Sequence, residues 1–157
     1  MLAVGDTAPD FEALDQDGAK LTLSSLLEKG KLVLYFYPRD FTTVCTQQVC
    51  VFRDADSMLT QLGAQVVGVS SDSVDSHRGF AEKHQVGFRL IADPDLSIIK
   101  AYDVNRWLLG FAKRVTYVIG RDRRILGVFH HELSAQKHLD DVVRLLETPD
   151  KFESRAP

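Results

Sequence analysis

The run Leu32-Val33-Leu34-Tyr35-Phe36-Tyr37 constrains the fold of this chain more than any other stretch. Six consecutive apolar or aromatic residues leave no polar face, so a strand formed here must be covered on both sides. The run stops at Pro38, which has no N–H to continue a ladder. Beyond a short loop, Val49, Phe52, Ala55, Met58 and Leu59 recur at helical spacing, which predicts a helix over 43–61. A buried strand followed by a crossover helix implies further parallel strands in the same sheet.

The rest of the pattern supplies them. Gln65-Val66-Val67-Gly68-Val69-Ser70-Ser71 reads as a second buried strand, and residues 74–84 as a helix opened by Asp72 or Ser73 as cap. Phe88 to Ala92 is a short strand, Asp93-Pro94-Asp95 a turn, and Leu96 to Tyr102 a short helix. Val115 to Ile119 and Ile125 to Phe129 flank the polar stretch Gly120 to Arg124 and read as an antiparallel hairpin. Residues 135–147 form an amphipathic helix with Leu139, Val142, Val143 and Leu146 on one face. This order predicts an α/β chain with a thioredoxin-like fold, a mixed central sheet flanked by helices. Residues 1–147 are expected to form one domain and 148–157, polar and carrying Pro149 and Pro157, a C-terminal tail.

Composition narrows the class of partner. A length of 157 residues suits a single domain, and 45% hydrophobic with 26% charged residues is ordinary for a soluble one. The net charge of −3 provides no basic field for nucleic acid. No apolar run approaches the roughly 18 residues that span a bilayer. The opening MLAVGDTAPDF has neither a basic n-region nor a long apolar h-region, so the expected location is cytoplasmic.

The chain has two cysteines, Cys45 and Cys50. Two cysteines are no disulfide framework for a domain of this size. A close pair points to redox chemistry or metal binding, against the plainer alternative of two inert buried thiols. Cys45 falls where the predicted buried strand gives way to the helix, at the carboxyl end of a strand, where open α/β sheets bind ligands. In the first helical turn it meets the positive end of the dipole and unpaired backbone N–H groups. A thiol with a reference pKa of about 8.5 is only a few per cent thiolate near neutrality, and lowering that value to about 6 requires about 3.4 kcal/mol. A helix terminus supplies about 0.3–1 kcal/mol and at most about 2. A donor and a cation are therefore needed as well; Thr42, one turn before Cys45, is the natural donor.

Pro38-x-x-x-Thr42-x-x-Cys45 resembles the peroxiredoxin signature P-x-x-x-T-x-x-C. Tyr35-Phe36-Tyr37 before it, Cys50 five residues after Cys45, and Phe52-Arg53-Asp54 beyond are similar to the bacterioferritin comigratory protein, or peroxiredoxin Q, branch. So are Gly5-Asp6-x-Ala8-Pro9-Asp10-Phe11, Gly68-Val69-Ser70-Ser71-Asp72, Ser76-His77, Phe80-Ala81-Glu82-Lys83-His84, Asp93-Pro94-Asp95 and Arg114-Val115-Thr116-Tyr117-Val118-Ile119. The resemblance implies a thiol-dependent peroxidase acting on hydrogen peroxide and organic hydroperoxides. It implies Cys45 as peroxidatic cysteine, Thr42 as hydrogen-bond partner of peroxide and thiolate, and Pro38 as the shield of the pocket. Arg114 becomes the stabilising cation, Cys50 the resolving cysteine, and thioredoxin or a similar dithiol the reductant. Members of this branch are often monomeric, and no cofactor is required. One departure stands out: Thr43-Val44 occupies the place of the branch's usual Pro-Gly, and Val44 is expected to stiffen the first turn and narrow the mouth of the pocket.

The spacing makes its own demand. In an intact helix, positions i and i+5 have Cα atoms about 8.7 Å apart, whereas a disulfide needs about 4.4–6.8 Å. A Cys45–Cys50 bond therefore requires segment 43–51 to unwind, and β-branched Thr43, Val44, Thr46 and Val49 lower the cost.

Three other readings of the same residues stand beside this one. A one-cysteine peroxidase resolved by an external thiol would leave Cys50 as a helix residue. A protein dithiol–disulfide oxidoreductase lacks support, because there is no C-x-x-C and no proline between Asp95 and Thr148. His130-His131 with two cysteines suggests zinc, but adjacent strand residues point to opposite faces, so no metal is expected. Arg39 and Asp40 read as solvated loop charges. Trp107, Leu108, Leu109 and Phe111 read as pocket wall or core ahead of Arg114.

Overall fold

The computed structural model describes residues 1–106 and 109–148. Its elements, in order, are β1 (Glu12–Leu14), β2 (Lys20–Thr22), α1 (Leu23–Leu27), β3 (Lys31–Phe36), α2 (Thr43–Gln61), β4 (Ala64–Ser70), α3 (Val74–His84), β5 (Arg89–Ala92), α4 (Ser97–Ala101), β6 (Val115–Ile119), β7 (Ile125–His130) and α5 (Ala135–Glu147). The strands form one mixed sheet in the order β2-β1-β5-β4-β3-β6-β7. Strands β3, β4 and β5 run parallel, while β6 and β7 pair antiparallel on one side and β1 and β2 on the other.

The two-sided burial expected of 32–37 is found. Leu32, Leu34 and Phe36 face one core with Leu23, Leu26, Ile98 and Tyr102 from the α1 and α4 side. Val33, Tyr35 and Tyr37 face the other with Val49, Phe52, Leu59, Phe80 and Val142 from α2, α3 and α5. Full burial of side chains such as Val49, Phe52 and Leu59 contributes about 1.5–3 kcal/mol each.

Three short elements went unseen in the sequence. β1 and β2 are three residues each, too brief to display an alternation, and α1 is a single turn. A capping box holds α1, with Thr22 and Ser25 side chains bonding each other's backbone N–H. The α3 cap is Ser73, whose hydroxyl accepts from the Ser76 N–H. The hairpin turn closes through Gly120 and Arg124, with Arg123 at φ 70. Beyond Thr148, the expected C-terminal tail lies outside the described residues.

The register positions the site. Phe36 at the end of β3 pairs with Val115 at the start of antiparallel β6, so the residue before β6 stands beside the loop that leaves β3. Parallel β4 brings its own exit to the same edge, with Phe36 opposite Val69.

Candidate active site

Cys45 is the third residue of α2 and is 1% exposed. Thr42 is the N-cap residue, yet its side chain makes no cap bond; the hydroxyl donates instead to the Arg39 carbonyl at 2.9 Å. The first-turn amides of α2 are thus left without a side-chain acceptor from their own cap, at the positive end of a 19-residue helix. Thr42 is exposed and Pro38 half-buried at the rim of the loop.

Arg114 supplies the cation. It is 4% exposed, and each of its nitrogens has a partner. Nη2 donates to Cys45 Sγ at 3.3 Å, Nη1 to Gln48 Oε1 at 2.8 Å and Nε to the Glu132 carbonyl at 3.0 Å. The guanidinium is held in a fixed fork, with one of its donors directed at the sulfur. Nothing in the local sequence around Cys45 indicates Arg114, because strand pairing alone joins residues 69 apart in sequence.

Gln48 and Glu132 complete the cradle, and sequence reasoning passed over both. Gln48 lies one turn after Cys45 and so shares its face, a signal that was available. Its Nε2 is buried without a hydrogen-bond partner. Glu132 gave no sequence signal. Its carboxylate accepts from the Arg114 N–H at 3.3 Å, from Arg106 at 2.7 Å and from His130 Nε2 at 2.7 Å. Burial opposes its charged form, but these bonds and the Arg106 charge outweigh it, and its carboxyl sits below the ordinary range.

Asp40 corrects the sequence reading. It is not solvated but 6% exposed, at the centre of a polar cluster. Oδ2 accepts from Ser76 Oγ at 2.8 Å and lies 2.7 Å from His77 Nδ1; Oδ1 accepts from Tyr37 Oη at 2.6 Å. The Asp40 N–H donates to Asp72, which also receives Ser70 Oγ. His77 Nε2 meets the Ile91 carbonyl at 2.9 Å. Burial, then the Asp40 charge, holds the Tyr37 phenol far above its ordinary value, so it remains a donor. A loop carboxylate cannot announce a histidine 37 residues away. Its effect is to pin the loop between β3 and α2 to α3. Asp40, Asp72 and His77 are the three potential metal donors that cluster among the described residues. All three are engaged with one another and with Ser and Tyr hydroxyls.

Arg39 is exposed and lies over the Phe111 ring at 5.6 Å, with Arg106 at 6.0 Å. Leu109 is 55% exposed and so is not core; Trp107 and Leu108 lie outside the described residues. Phe41 adopts φ 66, uncommon for a bulky residue, and packs edge-on against Phe80 at 5.1 Å. The histidine pair is satisfied by carboxylates, His130 by Glu132 and His131 by Asp141 at 2.6 Å.

Both cysteines are free thiols and α2 runs unbroken through them. Cys50 is half-buried, with Sγ 4.0 Å from His84 Nδ1. A low-exposure thiol beside a guanidinium, at a helix N-terminus, is suited to nucleophilic attack on an electrophilic atom whose leaving group departs as an anion.

Comparison with known proteins agrees with this chemistry. The AhpC/TSA family pattern matches residues 4–128. The chain is 38% identical over 146 residues to the chloroplastic peroxiredoxin Q of Sedum lineare, covering 92% of this chain and 77% of the relative. A crystal structure of the peroxidoxin BcpB from Mycobacterium tuberculosis superposes with a TM-score of 0.89 at 37% identity, over 94% of this chain and 97% of the other. The bacterioferritin comigratory protein of Xanthomonas campestris, solved in connection with its alkyl peroxide reduction activity, superposes with a TM-score of 0.79 at 27% identity, over 87% and 90%.

Proposed function

Since the chain belongs to the AhpC/TSA family, in its peroxiredoxin Q branch, and is a thiol-dependent peroxidase, we propose that Cys45 is its peroxidatic nucleophile and Cys50 its resolving thiol. The observation that carries this assignment is the Arg114 guanidinium donating to a buried Cys45 Sγ at 3.3 Å. Cys45 thiolate attacks the distal oxygen of a hydroperoxide. The O–O bond breaks, the departing alkoxide or hydroxide takes a proton, and Cys45 becomes a sulfenic acid. Arg114 and the first-turn amides of α2 face the charge as it moves from sulfur to the leaving oxygen. Thr42 joins them by turning its hydroxyl from the Arg39 carbonyl toward the peroxide, and Pro38 shields the sulfur from bulk water.

Resolution follows when the first turns of α2 unwind. Cys50 sulfur bonds to Cys45 sulfur, the S–O bond breaks, and water leaves. An external dithiol of the thioredoxin class then reduces the disulfide by exchange and is itself oxidised. Substrates are hydrogen peroxide and organic hydroperoxides; the alkyl peroxide activity described for the Xanthomonas protein supports the latter. A single chain carries the whole cycle, so the working unit is a monomer, and a reducing compartment such as the cytoplasm suits it.

The test is the free-thiol count and intact mass after one equivalent of hydrogen peroxide, for wild type and Cys50→Ser. Wild type should lose two thiols, while the variant accumulates sulfenic or over-oxidised Cys45. Retention of one thiol by wild type would remove Cys50 from the cycle and leave a one-cysteine peroxidase resolved by an external thiol.

A further inference from the structure

A resolving thiol must itself become a thiolate before it can attack. A thiol at the reference value of about 8.5 is ionised only to a few per cent near neutrality. Unlike Cys45, Cys50 does not sit in the first turn of the helix, and Arg114 is committed to Cys45, Gln48 and Glu132. Its polar neighbours are Arg53, one turn further along α2, whose charge acts on the Cys50 sulfur, and, on another element, His84, the last residue of α3, with Nδ1 4.0 Å from Cys50 Sγ.

The histidine is fixed from both sides. Phe80 meets its ring edge-on, at a centroid distance of 5.1 Å and 75°. Arg53, one turn beyond Cys50, donates from Nη1 to the His84 carbonyl at 2.7 Å. The charges around it are Lys83 on its own helix and, from α2, Arg53 with its partner Asp54. Burial first, then Lys83 and Arg53, pushes the imidazole below its ordinary value, leaving it neutral near pH 7 and able to accept a proton. The position also suits the timing. α3 lies outside the segment 43–51 that a Cys45–Cys50 bond requires to unwind, so transfer of the proton to His84 comes before Cys50 departs.

Resting on the reading of Cys50 as resolving cysteine, we propose that His84 is the general base that ionises Cys50 for attack on oxidised Cys45. Nδ1 takes the proton from Cys50 Sγ as the contact shortens, and Nε2 keeps its own. The Cys50 thiolate forms the S–S bond as the Cys45 S–O bond breaks. The released hydroxide is protonated from the imidazolium through solvent and leaves as water. His84 ends neutral, and the two sulfurs carry the net oxidation.

The experiment is a rapid-quench single turnover on the full chain with one equivalent of hydrogen peroxide. Sulfenic acid and disulfide are separated by intact mass, from pH 6 to above 9, for wild type, His84→Gln and Cys50→Ser. The expected result for His84→Gln is sulfenic acid formation at the wild-type rate, which also reports a folded site. Disulfide formation at pH 7 is slowed about tenfold or more. The deficit should close as pH rises past about 8.5, the range in which a free thiol ionises without a base, and excess peroxide should convert more Cys45 to sulfinic acid. Equal disulfide rates at pH 7 would overturn the proposal, as would a deficit of constant size across the pH range, the mark of a merely structural role. If wild type forms no disulfide, the resolving role of Cys50 fails first, before His84 is in question.

Discussion

At the residue scale, two buried charges organise the site, and each makes a prediction. Arg114 reaches Cys45, Gln48 and Glu132 at once because its fork is planar. Lysine keeps the charge but cannot reproduce three directed bonds. Arg114→Lys is expected to lower the second-order rate with peroxide by about 10²–10³-fold, the usual cost of losing a preorganised donor to a developing charge; stopped-flow rates check it, and a change under about threefold would assign the stabilisation elsewhere. Asp40 gathers Tyr37, Ser76 and His77. Asp40→Ala strands those groups in the interior and should cost about 3–5 kcal/mol of stability, read by denaturant unfolding. These two residues also show where the sequence is informative. Cys45, Thr42 and Pro38 share one short segment and are legible as a pattern. Arg114 could be placed only by resemblance, and Asp40 was misread, because the partners of both are far along the chain and meet them through strand register.

At the element scale, long periodic segments were legible and short ones were not. α2 begins and ends where the spacing of Val49, Phe52, Ala55 and Leu59 places it, whereas the three-residue β1 and β2 have no periodicity to read. In the cycle proposed above, α2 holds Cys45 in place and then releases it. Gln47 is exposed on that helix, so Gln47→Gly weakens it without disturbing the core. The propensity difference, about 0.7 kcal/mol, should raise the unwound population about threefold. Disulfide formation should accelerate to match, if unwinding limits it, and amides of 44–50 should exchange faster by hydrogen–deuterium measurement. Unchanged exchange would mean that the helix does not open as proposed. α5 carries a different sensitivity. His138 is buried between Thr116 Oγ1 and the His131 carbonyl, each at 2.8 Å, and burial lowers its pKa to about 4. Unfolded, it titrates near 6.5, so the unfolded chain binds the extra proton in between. The stability that rests on neutral His138 is complete above pH 6.5 and is lost as pH falls toward about 4, by up to about 3 kcal/mol. His138→Gln should flatten that slope in pH-dependent denaturant melts; an unaltered slope would place the acid sensitivity in other groups.

At the scale of the whole molecule, one sheet divides two cores, and the helix that bears both cysteines lies wholly on one of them. Closing Cys45 onto Cys50 therefore withdraws side chains from that core. Val49 alone carries about 1.5–3 kcal/mol of burial, and Cys45 and helical hydrogen bonds add to it, against about 2 kcal/mol gained by constraining so short a loop in the unfolded state. The oxidised protein should melt a few degrees below the reduced one, contrary to the usual effect of a disulfide; calorimetry on both forms decides, and a higher melting temperature for the oxidised form would show that α2 stays packed. The antiparallel pairing of β3 with β6 has a consequence for biosynthesis. Translation delivers Cys45 69 residues ahead of Arg114, about 3–14 s earlier at about 5–20 residues per second. Through that interval the emerging chain carries a thiol without its guanidinium, and the assembly of β6 onto β3 arms it. Chains ending before Arg114 should react with peroxide no faster than free cysteine, and rapid oxidation of such chains would show the cation to be dispensable. On the proposed assignment, the fold keeps its nucleophile idle until most of the sheet that will contain it has been made.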